Sequence, residues 1–278
     1  MIGSSIEALR SGNAKDQAYA KILEGVLEAR GKDIPYPKQP AVTSTAEVPT
    51  TKQNPIKKEN EEGILTQIVR EFNKEGWMTP EFVTSAFQQI WKARGESAGL
   101  ELTVTPCDRT PEELAELAKN GRRIGYLPET LMAQQDRPLL ARIFPQLGSH
   151  SVQEGNSVTN EVNRSGWFDY ESAVDAPYRN TTEDQLRAAI ETESKRIGRE
   201  LAGMNVSEYI VAGEDSKLFT GKYLDHGANT WSRLLGSRRD GRVVRADFDS
   251  LGRLDVRWRL GSRYRYPSLG GRSVGVKS

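Results

Sequence analysis

Residues 242–260 read RVVRADFDSLGRLDVRWRL, and this stretch decides the predicted fold. Side chains alternate along a strand, so the apolar ones at 244, 246 and 248 share one face, and so do those at 254, 256, 258 and 260. Asp249, Ser250 and Gly252 are turn formers, and Gly252 readily adopts positive φ. The sequence therefore predicts an antiparallel hairpin with one face in the core and the other, charged, face in solvent.

The chain ends in a second pattern, LGGRSVGV at 269–276. A last buried strand is predicted over 273–276, and Gly270 and Gly271 permit a close approach of the backbone just before it. No Lys followed by Ser or Thr comes after these glycines, and no capped helix begins there. A phosphate-binding loop is therefore not predicted.

Basic residues are concentrated in the same C-terminal region. The whole chain is nearly neutral, with 39 Lys and Arg against 38 Asp and Glu. Residues 227–278 hold twelve Lys and Arg, eleven of them Arg, against four Asp, a difference of about +8. Such a local charge indicates an acidic protein, an anionic glycan or nucleic acid as a partner, and it says nothing about the fold.

The composition also bounds the chemistry and the location of the protein. Cys107 is the single cysteine, so neither an intrachain disulfide nor a cysteine-based zinc site is predicted. The two histidines, His150 and His226, have no surroundings that suggest a catalytic triad, so we expect no metal, no cofactor and no enzymatic activity. The mean hydropathy of -0.62, without a long apolar run or a secretory signal, predicts no membrane partner. The default expectation is a cytoplasmic protein, with surface or virion display left open.

Four segments follow one another along the chain. Residues 1–32 predict an amphipathic helix, and residues 33–60 are rich in Pro and Thr and predict a disordered linker. Residues 61–98 predict a helical hairpin whose second helix starts at Thr79-Pro80. Residues 99–278 mix short strands with helices and predict an α+β domain that binds a ligand.

Within this last segment, local signals predict individual elements. Residues 100–104 alternate between apolar and polar side chains and predict a strand. A short helix is predicted at about 137–144. Three further helices are predicted from capping signals, which are Thr110, the stretch Thr181-Thr182-Glu183-Asp184, and Asn205.

Arginine and tyrosine residues of the tail are the candidate ligand-binding residues. Arginine supplies a planar fork of donors and tyrosine a rigid amphipathic ring, and such groups recur in binding hot spots. The candidates lie in two loops and on the polar strand face. They are Arg238, Arg239, Asp240, Arg257, Arg259, Arg263, Tyr264, Arg265 and Tyr266.

Two other interpretations of this cluster stay open. The arginines are also typical of a solvated strand face whose charges pair with Asp247, Asp249 and Asp255. Interleaved Arg and Tyr residues also suit phosphate contact and base stacking, which favours nucleic acid. Protein or glycan recognition is the interpretation we prefer to nucleic-acid binding, because the chain as a whole is nearly neutral.

The tail resembles that of the variable, or target, proteins of diversity-generating retroelements. The residues that carry the resemblance are TWSRLLGS at 230–237, SLGRL at 250–254 and LGGRSVGV at 269–276. The resemblance implies a C-type-lectin-like fold related to the formylglycine-generating enzyme, with a small antiparallel sheet and two helices. The catalytic cysteines of the enzyme relatives are missing here.

In that family, adenine-directed mutagenesis randomises exposed positions near the C terminus while a fixed backbone displays them. The resemblance therefore implies ligand display without catalysis, with a variable region at about 231–278. By position, the nine candidate residues named above would be the variable ones.

These observations lead to one leading functional prediction and two alternatives. The leading prediction is a non-enzymatic protein whose C-terminal loops bind a protein or glycan ligand. The first alternative is a nucleic-acid-binding regulator that uses the basic hairpin. The second is a scaffold that assembles, or binds a partner, through the helices predicted within residues 1–32 and 61–98.

Overall fold

The computed structural model describes residues 66, 68–70, 79–133, 137–147, 158–258 and 261–277, all of which belong to the unit formed by residues 59–278. The predicted helix at 1–32, the predicted linker at 33–60 and most of the first helix of the predicted hairpin lie outside these residues. The described part is an α+β structure with two mainly antiparallel sheets, as the sequence predicts. None of its helices is both long and apolar enough to cross a membrane.

The helices and strands of the described residues are numbered in chain order. The helices are α1 (Pro80–Ala98), α2 (Pro111–Lys119), α3 (Arg137–Ile143), α4 (Glu183–Ile197) and α5 (Val206–Thr220). The strands are β1 (Arg122–Leu127), β2 (Thr159–Asn160), β3 (Gly166–Glu171), β4 (Leu201–Gly203), β5 (Trp231–Arg239), β6 (Arg242–Phe248), β7 (Leu254–Arg257), β8 (Leu269–Gly271) and β9 (Ser273–Val276).

The hairpin that the sequence predicts at 242–260 is confirmed, but its polar face is only partly in solvent, because Asp247 is buried and Arg245 is half-buried. Strand β6 pairs antiparallel with β7, and Ala246 lies opposite Val256. Gly252 closes the turn with a φ of 81°. The apolar face is buried at every position that the two strands cover; Trp258, just beyond β7, is half-buried, and Leu260 lies outside the described residues. The buried side chains are those of Val244, Ala246, Phe248, Leu254 and Val256.

Each sheet contains one part of the tail. The first sheet has the strand order β1-β3-β9-β4 and is antiparallel throughout, so the last strand, predicted at 273–276, lies inside a sheet. The second sheet has the order β2-β5-β6-β7, and β8 joins it by pairing parallel with β5. The tail therefore runs from the second sheet into the first within a few residues.

The structure has more elements than the resemblance implies. That resemblance gives one small sheet and two helices, whereas the structure has two sheets, and residues 99–278 contain α2 and α3 as well as α4 and α5. Strands β1 and β3 were not predicted. Almost all of their residues are buried, so they show no alternation between apolar and polar side chains that would indicate a strand.

The strand predicted at 100–104 is wrong. These residues form no strand, although Leu102 and Val104 still point towards the core while Glu101 and Thr103 are exposed. The alternation of side chains is therefore real. A strand also needs a neighbour to pair with, and this segment has none among the described residues.

The predicted helix starts are confirmed by the capping contacts. Thr79 caps α1, with Pro80 in its first turn. Helices α2, α4 and α5 each begin with a capping box, in which the cap side chain and the third helical side chain bond to each other's backbone. The predicted short helix corresponds to α3.

Helix α1 packs into the same core as the first sheet. The Trp91 indole donates a hydrogen bond to the carbonyl of Tyr126 at 3.1 Å. The ring of Phe87 meets Trp167 edge-on, with centroids 5.2 Å apart. Each contact is worth of the order of 1 kcal/mol beyond the burial of the rings. The second helix of the predicted hairpin is thus attached to the sheet that contains β9.

Close backbone approach at Gly270 and Gly271 is confirmed. A Cβ atom at Gly270 would overlap the carbonyl oxygen of Pro177, and one at Gly271 would overlap the side chain of Leu186. Any larger residue would push β8 away from these neighbours. The pair therefore allows the tail to pass between the sheets.

A buried ion pair joins the two sheets. Arg272 lies between β8 and β9, is fully buried, and contacts Asp225 at 3.2 Å. Asp225 also accepts hydrogen bonds from the hydroxyls of Tyr209, Thr230 and Ser232, at 2.8, 2.6 and 2.7 Å. A buried ion pair is costly unless its remaining donors and acceptors are satisfied. Here the carboxylate has a full set of partners.

We expect Asp225→Asn to destabilise the protein by about 3 kcal/mol, because it leaves the charge of Arg272 buried without its counter-ion. The matched control is Asp240→Asn, since Asp240 also has a positive φ (50°, against 52° for Asp225) but is exposed. Urea unfolding monitored by circular dichroism measures both. Equal stability of the two variants would show that the pair does not join the sheets.

Candidate ligand-binding face of the second sheet

The outer face of the second sheet has two halves. In one half, Leu235 and Val243 are covered by Leu186 and Ile190 of α4. The other half consists of alternate residues of β5, β6 and β7, beside the loop at 261–268. We call these six residues the arginine face; they are Trp231, Arg233, Arg245, Asp247, Asp255 and Arg257.

Three arginines lie side by side across this face. Arg233 is opposite Arg245, and Arg245 is opposite Arg257. Neighbouring strands are about 4.8 Å apart, so the Cα atoms of the three arginines lie within about 10 Å of one another. Like charges directly opposite each other destabilise a sheet. The row therefore costs folding free energy unless other groups offset the repulsion.

Aromatic rings and a backbone carbonyl orient the three guanidinium groups. Those of Arg245 and Arg257 lie 4.5 and 5.1 Å from the centroid of the Trp231 ring. Arg245 also donates a hydrogen bond to the Tyr266 hydroxyl, and Arg233 donates to the backbone carbonyl of Tyr264. Cation–π contacts of this kind are worth about 0.5 to 2 kcal/mol each, and they leave the net charge unchanged.

Acidic residues neutralise the row only in part. Arg257 pairs with Asp255 at 2.6 Å, and on the neighbouring turn Arg253 pairs with Asp249 at the same distance. Both pairs are largely exposed, so each contributes little to stability. These are two of the three acids expected for a solvated strand face. The third, Asp247, forms no ion pair with the described residues.

Asp247 is instead a buried acid on the same face, two residues along β6 from the row. Its side chain is only 3% exposed, and its Oδ1 has no hydrogen-bond partner among the described residues. Burial, reinforced by Asp255 and Asp225, raises the pKa of Asp247 to about 7, although Arg257 and Arg245 act in the opposite direction. Near neutral pH the carboxyl is therefore protonated in a large share of the molecules, and the face is more positive than its formal charge.

Five of the nine predicted site residues lie on or beside the arginine face. Arg257 belongs to it. Arg263, Tyr264 and Arg265 are exposed in the adjoining loop, while Tyr266 is half-buried against Arg245. The Tyr264 and Tyr266 rings meet edge-on, with centroids 5.4 Å apart. The structure thus brings this part of the predicted set together.

Three other predicted residues lie at the far end of β5. Arg238 is half-buried and pairs with Glu161 and, at 3.0 Å, with Glu183. Arg239 stacks on the ring of Trp258 at 3.6 Å, and Asp240 is exposed at the turn into β6. These residues are therefore separate from the arginine face. Arg259 lies outside the described residues.

Five residues of the face were not among the predicted site residues: Trp231, Arg233, Arg245, Asp247 and Asp255. The sequence contains a signal for three of them, because Arg245, Asp247 and Asp255 alternate with the buried positions of the hairpin. Trp231 and Arg233 join the face only because β5 pairs with β6 in this register. Locally, the two-residue turn Asp240-Gly241, with positive φ at both positions, fixes the register where β5 meets β6. A β-bulge between Leu234 and Arg238 then shifts the register, so the turn alone does not place Arg233.

Comparison with models of known protein families, with curated proteins and with solved structures finds no match for this chain. The support for a function of this chain is therefore the geometry of the arginine face and the resemblance carried by the tail.

We expect Asp247→Asn to stabilise the protein above pH 7. The pKa of Asp247 is higher in the folded chain than its ordinary value of 3.8, so the folded state holds the proton more tightly, and stability falls as the pH rises from about 4 to about 7. Asparagine mimics the protonated form. At pH 8.5 the variant should be more stable by about 1 to 4 kcal/mol, and at pH 4 the two proteins should be equal.

Urea unfolding at a series of pH values measures this difference. Asp240→Asn, which changes an exposed acid, serves as the control and should follow the wild type at every pH. A difference between Asp247→Asn and the wild type that does not change with pH would contradict the assignment.

Proposed function

We propose that the chain is a non-enzymatic ligand-binding protein of the kind its tail resembles, a variable protein of a diversity-generating retroelement. In this proposal residues 99–278 form a C-type-lectin-like domain. The arginine face and the loop at 261–268 bind a protein or glycan ligand. The mainly antiparallel sheets beside helices are compatible with such a domain. The observation that carries the proposal is the way in which the loop is held.

Main-chain hydrogen bonds hold both ends of the loop at 261–268. The N–H of Glu183 donates to the carbonyl of Ser262 at 2.9 Å, and the N–H of Trp231 donates to the carbonyl of Ser268 at 2.8 Å. These bonds use no side chain. The two ends of the loop are therefore held without the side chains of residues 263–265.

The side chains between these two anchors are available to a ligand. Arg263, Tyr264 and Arg265 are exposed, and Tyr264 is one of the most exposed large hydrophobic residues, at 49%. Arg263 and Arg265 form no hydrogen bond or ion pair with the described residues. A surface that is diversified while the fold is kept needs this separation between backbone support and side-chain identity, which supports the proposal.

We expect a library that randomises 263, 264 and 265 together to retain the fold in most of its members, because exposed substitutions usually change stability by less than about 0.5 kcal/mol. Protease resistance of the displayed variants, read by sequencing, measures the folded fraction. The matched control randomises Arg272, Ser273 and Val274, which are consecutive and fully buried, and should lose the fold in most members. A similar loss of folded members in the two libraries would contradict the proposal.

The DNA that flanks the coding region provides a second test of the proposed diversification. If the protein is diversified as proposed, sequencing a few kilobases on either side should find a near-copy of the 3′ end that differs mainly at adenines, together with a reverse-transcriptase gene. The differing codons should map to exposed residues within 231–278. Differences spread evenly over exposed and buried codons would count against the proposal.

A further inference from the structure

The arginine face holds hydrogen-bond donors that the described part of the chain does not use. The Nε atoms of Arg233 and Arg245 are buried and have no partner among the described residues. Arg233 is only 4% exposed, so its donor is withdrawn from bulk water. A buried donor without an acceptor is unfavourable. A ligand cannot reach these two atoms either, so the groups open to it are the outer N–H groups of the half-buried Arg245 and the exposed Arg257.

Two of the guanidinium groups are also oriented in advance. Arg245 and Arg257 both lie over the ring of Trp231, which restricts their planes. Tyr266 accepts from Nη1 of Arg245 and Asp255 accepts from Nη2 of Arg257, which leaves the Nη2 of Arg245 and the Nε and Nη1 of Arg257 without an acceptor among the described residues. A planar guanidinium matches the two oxygens of a carboxylate and binds them with two parallel hydrogen bonds. Because both groups lie close to one indole ring, a single short ligand segment reaches both.

The acids on the same face decide which kind of anion fits. Asp255 is 43% exposed beside the row, and the buried Asp247 lies opposite it on β6. Nucleic acid and sulfated glycans carry a negative charge on almost every repeat, so some of these charges would lie against the exposed carboxylate of Asp255. A polypeptide carries its carboxylates singly, with neutral groups between them. The chain as a whole carries a net charge of only +1, so it gives a dense polyanion little long-range attraction.

Aromatic side chains provide the remaining contact area. Trp231 is half-buried within the face, and Tyr264 is exposed beside it. Tryptophan, tyrosine and arginine are the residue types that carry most of the binding energy at protein interfaces. The sheet supplies the tryptophan and the arginines, and the adjoining loop supplies the tyrosine.

We propose that the arginine face binds an acidic polypeptide segment, whose carboxylates accept hydrogen bonds from Arg245 and Arg257 while neighbouring side chains pack on Trp231 and Tyr264. This inference rests on the proposed function and assigns a chemical class to its ligand. Of the two arginines that carry it, Arg257 is one of the predicted site residues and Arg245 is not. They are brought together by the pairing of β5, β6 and β7.

The test measures binding of the full chain to defined probes by fluorescence anisotropy. The first probe is a fluorescein-labelled dodecapeptide of alternating Glu and Ser, and its neutral control has Gln in place of Glu. A labelled oligothymidylate and a labelled heparin hexasaccharide represent the other two classes. We expect the acidic peptide to bind with micromolar affinity, and the Gln peptide to bind at least tenfold more weakly.

Variants connect the binding to the face. Arg245→Gln and Arg257→Gln should each weaken binding of the acidic peptide about tenfold, since each removes a charged, two-pronged donor. Arg257→Lys keeps the charge but loses the fork, and should recover only part of the affinity. The matched control is Arg253→Gln, which removes the same charge from an exposed arginine on the turn of the same hairpin, and should change affinity less than twofold. Thermal unfolding confirms that each variant is folded.

Each other outcome overturns the inference in a distinguishable way. If heparin or oligothymidylate binds more tightly than the peptide and loses affinity in Arg245→Gln and Arg257→Gln, the ligand class is wrong and a ligand-binding face remains. Equal loss of peptide binding in Arg253→Gln would show that charge alone, and not this face, binds the peptide. If no probe binds in a way that depends on Arg245 and Arg257, the inference fails, and the library at 263–265 decides the proposed function independently.

Discussion

The buried pair formed by Arg272 and Asp225 is the contact on which the rest of the structure depends. Arg272 lies where the tail passes from the second sheet into the first, and Asp225 accepts hydrogen bonds from α5 and from the start of β5. Removing two charges from water is costly, and the cost is offset here because the hydroxyls around the carboxylate satisfy its oxygens. The pair therefore ties the two sheets and α5 into one arrangement.

In this arrangement α4 covers only half of the outer face of the second sheet. The inner face of β6 packs its apolar residues on the core, where Phe248 stacks on Tyr209 and Tyr223. The fold therefore needs nothing from half of the outer face. On that half lies a row of three arginines, of which Arg245 and Arg257 are held over the ring of Trp231 and Arg233 is held by a backbone carbonyl. Like charges opposite one another are unfavourable for the chain alone, and in our proposal an anionic ligand offsets this cost.

Local signals predicted some elements well and others not at all. The hairpin and the capped helices were predictable because turn formers, alternation and capping boxes act within a few residues of each other. The segment at 100–104 has the same alternation, but among the described residues it has no neighbour to pair with and forms no strand. Strands β1 and β3 pair in the first sheet and are almost wholly buried, which removes the alternation by which a strand is predicted.

The sequence by itself determined the hairpin, the helix starts and the basic, tyrosine-rich character of the tail, because each depends on neighbouring residues. Only the tertiary structure decided which of these residues act together. Arg238 and Arg239 are close to the face in sequence yet pair elsewhere, whereas Arg233 joins Arg245 and Arg257 through strand register. The Asp240-Gly241 turn sets the register of β5 and β6 only beside the turn. The bulge that shifts this register before Arg233, and the path of the tail between two sheets, come from packing over the whole core.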